Sequence, residues 1–142
     1  MTRPPILMLD TNIASYAIKH RHRIDERLDR YDRHDICLSA VTEAELLYGL
    51  RDLPETHSLH QRVPAFLERF RCIPWDSEAA KVHAVVRHLL ISTGRPIGEM
   101  DTMIASHAIA MGITLVTHNT KHFLRLSPPL RLETWVDPSL DR

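Results

Sequence analysis

Three carboxylates carry the chemistry this chain could do. Asp10 follows the apolar run Ile6-Leu7-Met8-Leu9, Glu45 lies in LSAVTEAELLYGL, and Asp101 lies just after the turn Pro96-Ile97-Gly98. Hard divalent cations such as Mg2+ or Mn2+ take oxygen ligands of this kind, usually one or two carboxylates completed by water and substrate phosphate. A cation so held activates water and neutralises charge during phosphodiester hydrolysis. Such a site needs acids close in space, though not in sequence. Each acid also has a local role that would explain it alone. Asp10 can open a turn or cap a helix starting at Asn12, and Glu45 can close a capping box with Thr42. Asp101 complements the dipole of a helix near residues 99–111. Asn119 can be an ordinary turn residue. Their joint placement at the ends of elements is what raises a metal site.

The elements that must position them can be read from the pattern. Residues 6–9 suit a buried strand, and residues 12–19 a helix. Ile24, Leu28 and Tyr31 recur at helical spacing in a second, charged helix. Residues 35–38 suit a strand, followed by a helix capped by Thr42 and running to Gly49 or Leu50. Over 55–70, Leu59, Val63, Phe66, Leu67 and Phe70 share one helical face, with a break or kink expected at Pro64. That face suits either the core or a partner groove. Residues 72–75 suit an edge strand, because Pro74 cannot donate to a ladder. Asp76 reads as the cap of a helix carrying Ala80, Val82, Val85, Val86, Leu89 and Leu90, which Gly94 stops. Residues 95–98 are a loop. The next helix buries Ile104, Ala105, Ala108 and Ile109 and ends at Gly112. Residues 113–117 are β-branched and strand-like, 118–123 read as a loop, 131–136 as a last strand, and 137–142 as a loose tail.

Strands alternating with helices imply an α/β fold with a mainly parallel sheet covered on both faces. Sites in such sheets form beyond the carboxyl ends of the strands. Asp10 and the pair His118-Asn119 each follow a strand directly.

The 142 residues fit one domain, and 44% hydrophobic with 25% charged residues describes a globular chain. No apolar run reaches transmembrane length, and the N-terminal apolar stretch meets Asp10 too soon for a signal peptide, so a cytoplasmic protein is expected. Cys37 and Cys72 read as buried free thiols, with no CxxC spacing to suggest a metal. The ten histidines form neither an HExxH nor a C2H2 pattern. Lys+Arg equals Asp+Glu, 18 each, which neither indicates nor excludes nucleic acid.

Four segments in order, MLDTNIASYAIK, LSAVTEAELLYGL, GRPIGEMDTMIASHAIAMGITLVTHNTKHFLRL and LETW, together resemble a PIN-domain ribonuclease, and more narrowly the VapC toxins of toxin–antitoxin operons. The resemblance runs from about Ile6 to Trp135. It implies a three-layer α/β/α sandwich with a central, mainly parallel sheet over a single domain, 1–142. It implies that Asp10, Glu45 and Asp101 hold Mg2+ or Mn2+, and that Asn119 stands where many PIN domains have a fourth acid. Asn offers one neutral carbonyl oxygen, which favours one well-held ion over a symmetric pair. Thr11 and Thr117 are expected to hydrogen-bond to carboxylates or waters around the ion. Glu43 reads as a solvated helix residue, Glu99 as an exposed turn residue with an outer-shell group near Asp101 as the alternative, and His118 replaces the asparagine usual in this motif.

The activity so implied is endonucleolytic hydrolysis of RNA, transfer RNA included, by activated water, leaving a 5′-phosphate and a 3′-hydroxyl. Arg95, Lys121, His122 and Arg125 are candidates to hold phosphates, beside their plain reading as surface charge. The expected partners are RNA, a cognate antitoxin and a second copy of the chain, with no membrane. Two other readings stand beside this one: a catalytically silent PIN scaffold that binds RNA or a partner, and another metal-dependent phosphohydrolase on a similar fold.

Overall fold

Five short strands form the centre of the molecule: β1 (Leu7–Leu9), β2 (Ile36–Ser39), β3 (Arg71–Ile73), β4 (Thr114–Val116) and β5 (Arg131–Glu133). All neighbours are parallel, in the order β3-β2-β1-β4-β5. The computed structural model describes residues 3–136, so the tail expected at 137–142 lies outside the described residues. Among the described residues, seven α-helices accompany the strands: α1 (Thr11–Ile18), α2 (Ile24–Leu28), α3 (Ala40–Tyr48), α4 (Leu59–Arg69), α5 (Ser77–Ser92), α6 (Glu99–Met111) and α7 (Thr120–Phe123).

The pleat sorts the core into two layers, because successive strand residues face opposite ways. Leu7, Leu9, Ile36, Leu38 and Val116 face one way, against α1, α2 and α4. Met8, Cys37 and Leu115 face the other, against α5, α6 and Phe123 of α7. This is the expected α/β/α sandwich. The chain winds outward from β1 to β3, then returns to β4 on the other side of β1. The crevice of such a sheet lies where the winding reverses, here beyond the carboxyl ends of β1 and β4. Among the described residues, no helix is long and apolar enough to cross a membrane.

Helix ends follow their caps. Asp76 accepts from the Ala79 N–H at 3.0 Å and starts α5. Gly94, at φ 68°, closes it in a left-handed turn in which the Arg95 N–H reaches the Leu90 carbonyl at 2.8 Å. Three local expectations are corrected. Thr42 does not cap α3: Ser39 does, accepting from the Val41 N–H, so Thr42 is a buried residue inside the helix and Glu45 closes no capping box. Pro64 does not break α4, which runs through it. Its ring is exposed, while Val63, Phe66 and Phe70 anchor the helix in the core. That burial outweighs one missing hydrogen bond, and core packing accounts for the apolar face. Residues 120–123 form α7 rather than loop, because Phe123 is buried in the second core layer and holds the turn. On α5, Val85 and Leu89 lie outside the core, 70% and 47% exposed. Cys37 is buried, Cys72 only half so, and both are free.

Candidate active site

Asp10 leaves the central strand at the floor of the crevice. Its backbone N–H bonds the Val116 carbonyl at 3.0 Å, fixing the end of β1 to the end of β4. One carboxylate oxygen accepts from the Ile13 N–H at 2.9 Å and caps α1. The other accepts from the Thr117 hydroxyl at 2.5 Å. Asp10 is 2% exposed. Burial pushes its carboxyl up from 3.8 to about 6, against those two hydrogen bonds, and the charges of Asp101 and Glu45 push the same way. Capping and site roles thus coincide in one residue.

Glu45 reaches the crevice from α3. The Thr11 hydroxyl, next in chain to Asp10, donates to Glu45 Oε1 at 2.6 Å. Thr42, buried, places its hydroxyl 3.2 Å from that of Thr11. Asp101 stands in the first turn of α6, half-buried, and burial raises its carboxyl above the ordinary value while the nearby His122 pulls it down. The structure therefore brings the three acids to one end of the sheet, each within electrostatic reach of Asp10.

Asn119 turns away from being a simple loop residue. Its N–H donates to the Thr117 hydroxyl oxygen at 3.0 Å, and its side-chain amide meets His122 Nδ1 at 2.9 Å. Thr117 thereby joins Asp10 to Asn119. His118 packs against Tyr16, with ring centroids 6.1 Å apart, and near His22. Of the candidate phosphate holders, Lys121, His122 and Arg95 are exposed. The Arg125 guanidinium is instead bonded to the carbonyls of Arg95 and Pro96. Glu99 is exposed and pairs with Arg87 at 3.4 Å. Glu43, rather than being fully solvated, lies against the Cys72 thiol, which burial holds well up.

A buried pair escaped sequence reasoning. His107 of α6 and Ser39 at the cap of α3 share a 2.9 Å hydrogen bond, and burial pulls the imidazole below its ordinary value. It ties together the two helices that carry Glu45 and Asp101. A lone histidine on an apolar helix face gave no signal for this, since its partner is distant in sequence.

Among the described residues, no group of three carboxylate, imidazole or thiolate side chains closes around an ion by itself. The donor set still fits Mg2+ or Mn2+, which retain several waters and use few protein carboxylates. A carboxylate pushed upward by burial, with two like charges adding to the push, is a ready partner for a cation. Glu45 also borders a partly open apolar cleft lined by Asn12, Ser15, Lys19, Leu50 and Leu59.

The family model for the PIN domain matches residues 7–127. The chain is 38% identical over 132 residues to "Ribonuclease VapC2" of Rickettsia felis, covering 92% of this chain and 98% of that protein. It is 35% identical over 130 residues to "tRNA(fMet)-specific endonuclease VapC" of Shigella flexneri, covering 90% and 96%. Among solved structures, VapBC2 from Rickettsia felis bound to a DNA fragment from its promoter matches with a TM-score of 0.82 at 37% identity, over 92% of this chain and 98% of that one.

Proposed function

The chain belongs to the PIN-domain family, and from that premise we propose that it is a toxin endoribonuclease of the VapC kind. Its substrate is RNA, transfer RNA among the candidates, and Asp10, Glu45 and Asp101 hold a Mg2+ or Mn2+ ion, partly through water. The observation that carries the reading is the crowding of Glu45 and Asp101 on a buried Asp10 at the switch point of the sheet. A carboxylate this deeply buried costs stability when charged, the like charges of Asp101 and Glu45 add to that cost, and a cation that joins them offsets it.

Bound there, a divalent ion supplies charge neutralisation at the scissile phosphate and makes water more acidic. The chain's own groups do the rest. Ile13 N–H and the Thr117 hydroxyl keep the Asp10 carboxylate in one orientation. The Thr11 hydroxyl does the same for Glu45. Asp101, half-buried in the first turn of α6, would take the proton of the attacking water at its carboxylate. A P–O bond forms to the water oxygen, the bond to the 3′-oxygen breaks, and that oxygen takes a proton from solvent water.

The cleft beside Glu45 suits a segment of a cognate antitoxin, whose binding there would cover the site. The relatives' assembly with VapB supports that partner. Val85 and Leu89, exposed one turn apart on α5, support a homodimer. The compartment proposed for it is the cytoplasm, where an RNA substrate is available.

The test is cleavage of total cellular RNA by the purified, antitoxin-free protein with Mg2+. The wild type should cut discrete RNAs, EDTA should stop it, and Asp101→Ala should be folded and inert. Equal behaviour of wild type and Asp101→Ala would leave a binding scaffold and remove the catalytic reading.

A further inference from the structure

Beside the three acids, the segment after β4 carries a second constellation. The Asn119 side-chain nitrogen can only donate, so His122 Nδ1, 2.9 Å away, accepts. The imidazole proton then rests on Nε2. An N–H at Nε2 cannot ligate a cation, and it can donate to an anionic oxygen. His122 is exposed and lies within electrostatic reach of Asp101. Its placement is not accidental. Arg125 bonds the carbonyls of Arg95 and Pro96 at 3.1 and 3.2 Å, stitching the 120–126 segment to the loop that leads into Asp101. From the other end, Asn119 is anchored through Thr117 to Asp10. A continuous hydrogen-bonded path, Asp10-Thr117-Asn119-His122, passing through the backbone N–H of Asn119, therefore runs from the floor of the crevice to its rim. Three carboxylates repel a phosphodiester, so an orienting donor on the rim has a clear use.

We propose that His122 is a substrate-phosphate ligand of this site, and that Asn119 is a positioning residue that fixes its tautomer rather than a ligand of the metal. The inference rests on the ribonuclease reading above and specifies how that site holds its substrate. His122 is one of four basic candidates by sequence, and the structure sets it apart by its bond to Asn119, whereas one guanidinium nitrogen of Arg125 is taken up by the Arg95 and Pro96 carbonyls.

The test uses the full-length protein and fluorescent single-stranded RNA oligonucleotides of two unrelated sequences, with Ca2+ replacing Mg2+ so that binding is read without turnover. His122→Ala should weaken binding roughly ten- to a hundred-fold, as expected for a hydrogen bond to a charged group. The factor should be the same for both sequences, because phosphate contacts carry no base information. Asn119→Ala should produce a smaller loss, and the double variant should bind no worse than His122→Ala alone. His122→Gln, which keeps a donor, should recover part of the affinity. The Mg2+-induced rise in melting temperature should be unchanged in Asn119→Ala. Unaltered RNA affinity in His122→Ala, strictly additive losses, or a vanished Mg2+ shift in Asn119→Ala would each overturn the proposal. Because binding is the readout, the result stands apart from the cleavage test: a wild type that binds through His122 but does not cut would refute the nuclease reading and leave the phosphate contact in place.

Discussion

Replacing Asp10 by Asn should make the metal-free protein more stable at neutral pH. The folded-state carboxyl titrates at about 6 against 3.8 when unfolded, chiefly because it is buried. An acid whose folded value is raised gives a fold that is favoured at low pH and loses stability as pH climbs from the unfolded value to the folded one. The full penalty is therefore present above pH 6, and at 1.36 kcal/mol per pH unit it amounts to about 3 kcal/mol. The same relation leaves about 1.6 kcal/mol at pH 5. Asn keeps the oxygen that accepts from the Ile13 N–H. Its amide nitrogen faces the Thr117 hydroxyl, which must then accept from it as well as from Asn119. That rearrangement, with the lost charge at the helix N-terminus, costs about 1–2 kcal/mol. The net gain at pH 7.5 is about 1–2 kcal/mol, or roughly 3–8 °C in Tm. At pH 5 it should shrink to near zero. Urea denaturation followed by far-UV circular dichroism in EDTA, at both pH values, measures it. A variant less stable than wild type at pH 7.5, or a difference equal at both pH values, would refute the claim that a buried, charged Asp10 destabilises the metal-free fold.

Other perturbations follow from the same coordinates. His107, pulled below its ordinary value by burial, stabilises the fold above the unfolded imidazole value and loses that contribution as pH falls through it; His107→Gln should flatten this acid limb in pH-dependent denaturation. Pro64→Ala restores an N–H at an exposed position inside α4 and should raise stability by about 1–2 kcal/mol in urea, after allowing for the freer unfolded chain. Val85→Glu with Leu89→Glu should leave the melting temperature within a few degrees and shift the protein to monomer in light scattering, with no change if α5 faces only water.

The fold was largely written in local pattern. Leu7 to Leu9 and the Ile113-Thr114-Leu115-Val116 run announce buried strands, Asp76 marks a helix start through its side-chain cap, and Gly94 and Gly112 mark helix ends through their positive φ. The errors arose where tertiary contacts decide. Ser39 displaced Thr42 as cap because the strand ends on it, and the cost of Pro64 is absorbed by Phe66 and Phe70 in the core. Residues 120–123 looked polar, yet one buried Phe123 folds them. Asp10 and Asp101 stand at element ends as expected, Glu45 lies in the middle of α3 rather than in its first turn because the helix starts at Ala40, and motif order singled out all three. The bonds that orient them were not legible. Thr11 meets Glu45 across 34 positions and Thr117 meets Asp10 across 107, so neither spacing nor periodicity reveals them.

The most direct measurement is Mn2+ binding, by calorimetry at pH 7.5, to the wild type and to Asp10→Asn, Glu45→Gln and Asp101→Asn. The account predicts binding by the wild type, at least a roughly ten-fold loss of affinity in each variant, and retained folding in all. Wild-type affinity in all three variants, or no binding to a folded wild type, would contradict the claim that these carboxylates form a metal site.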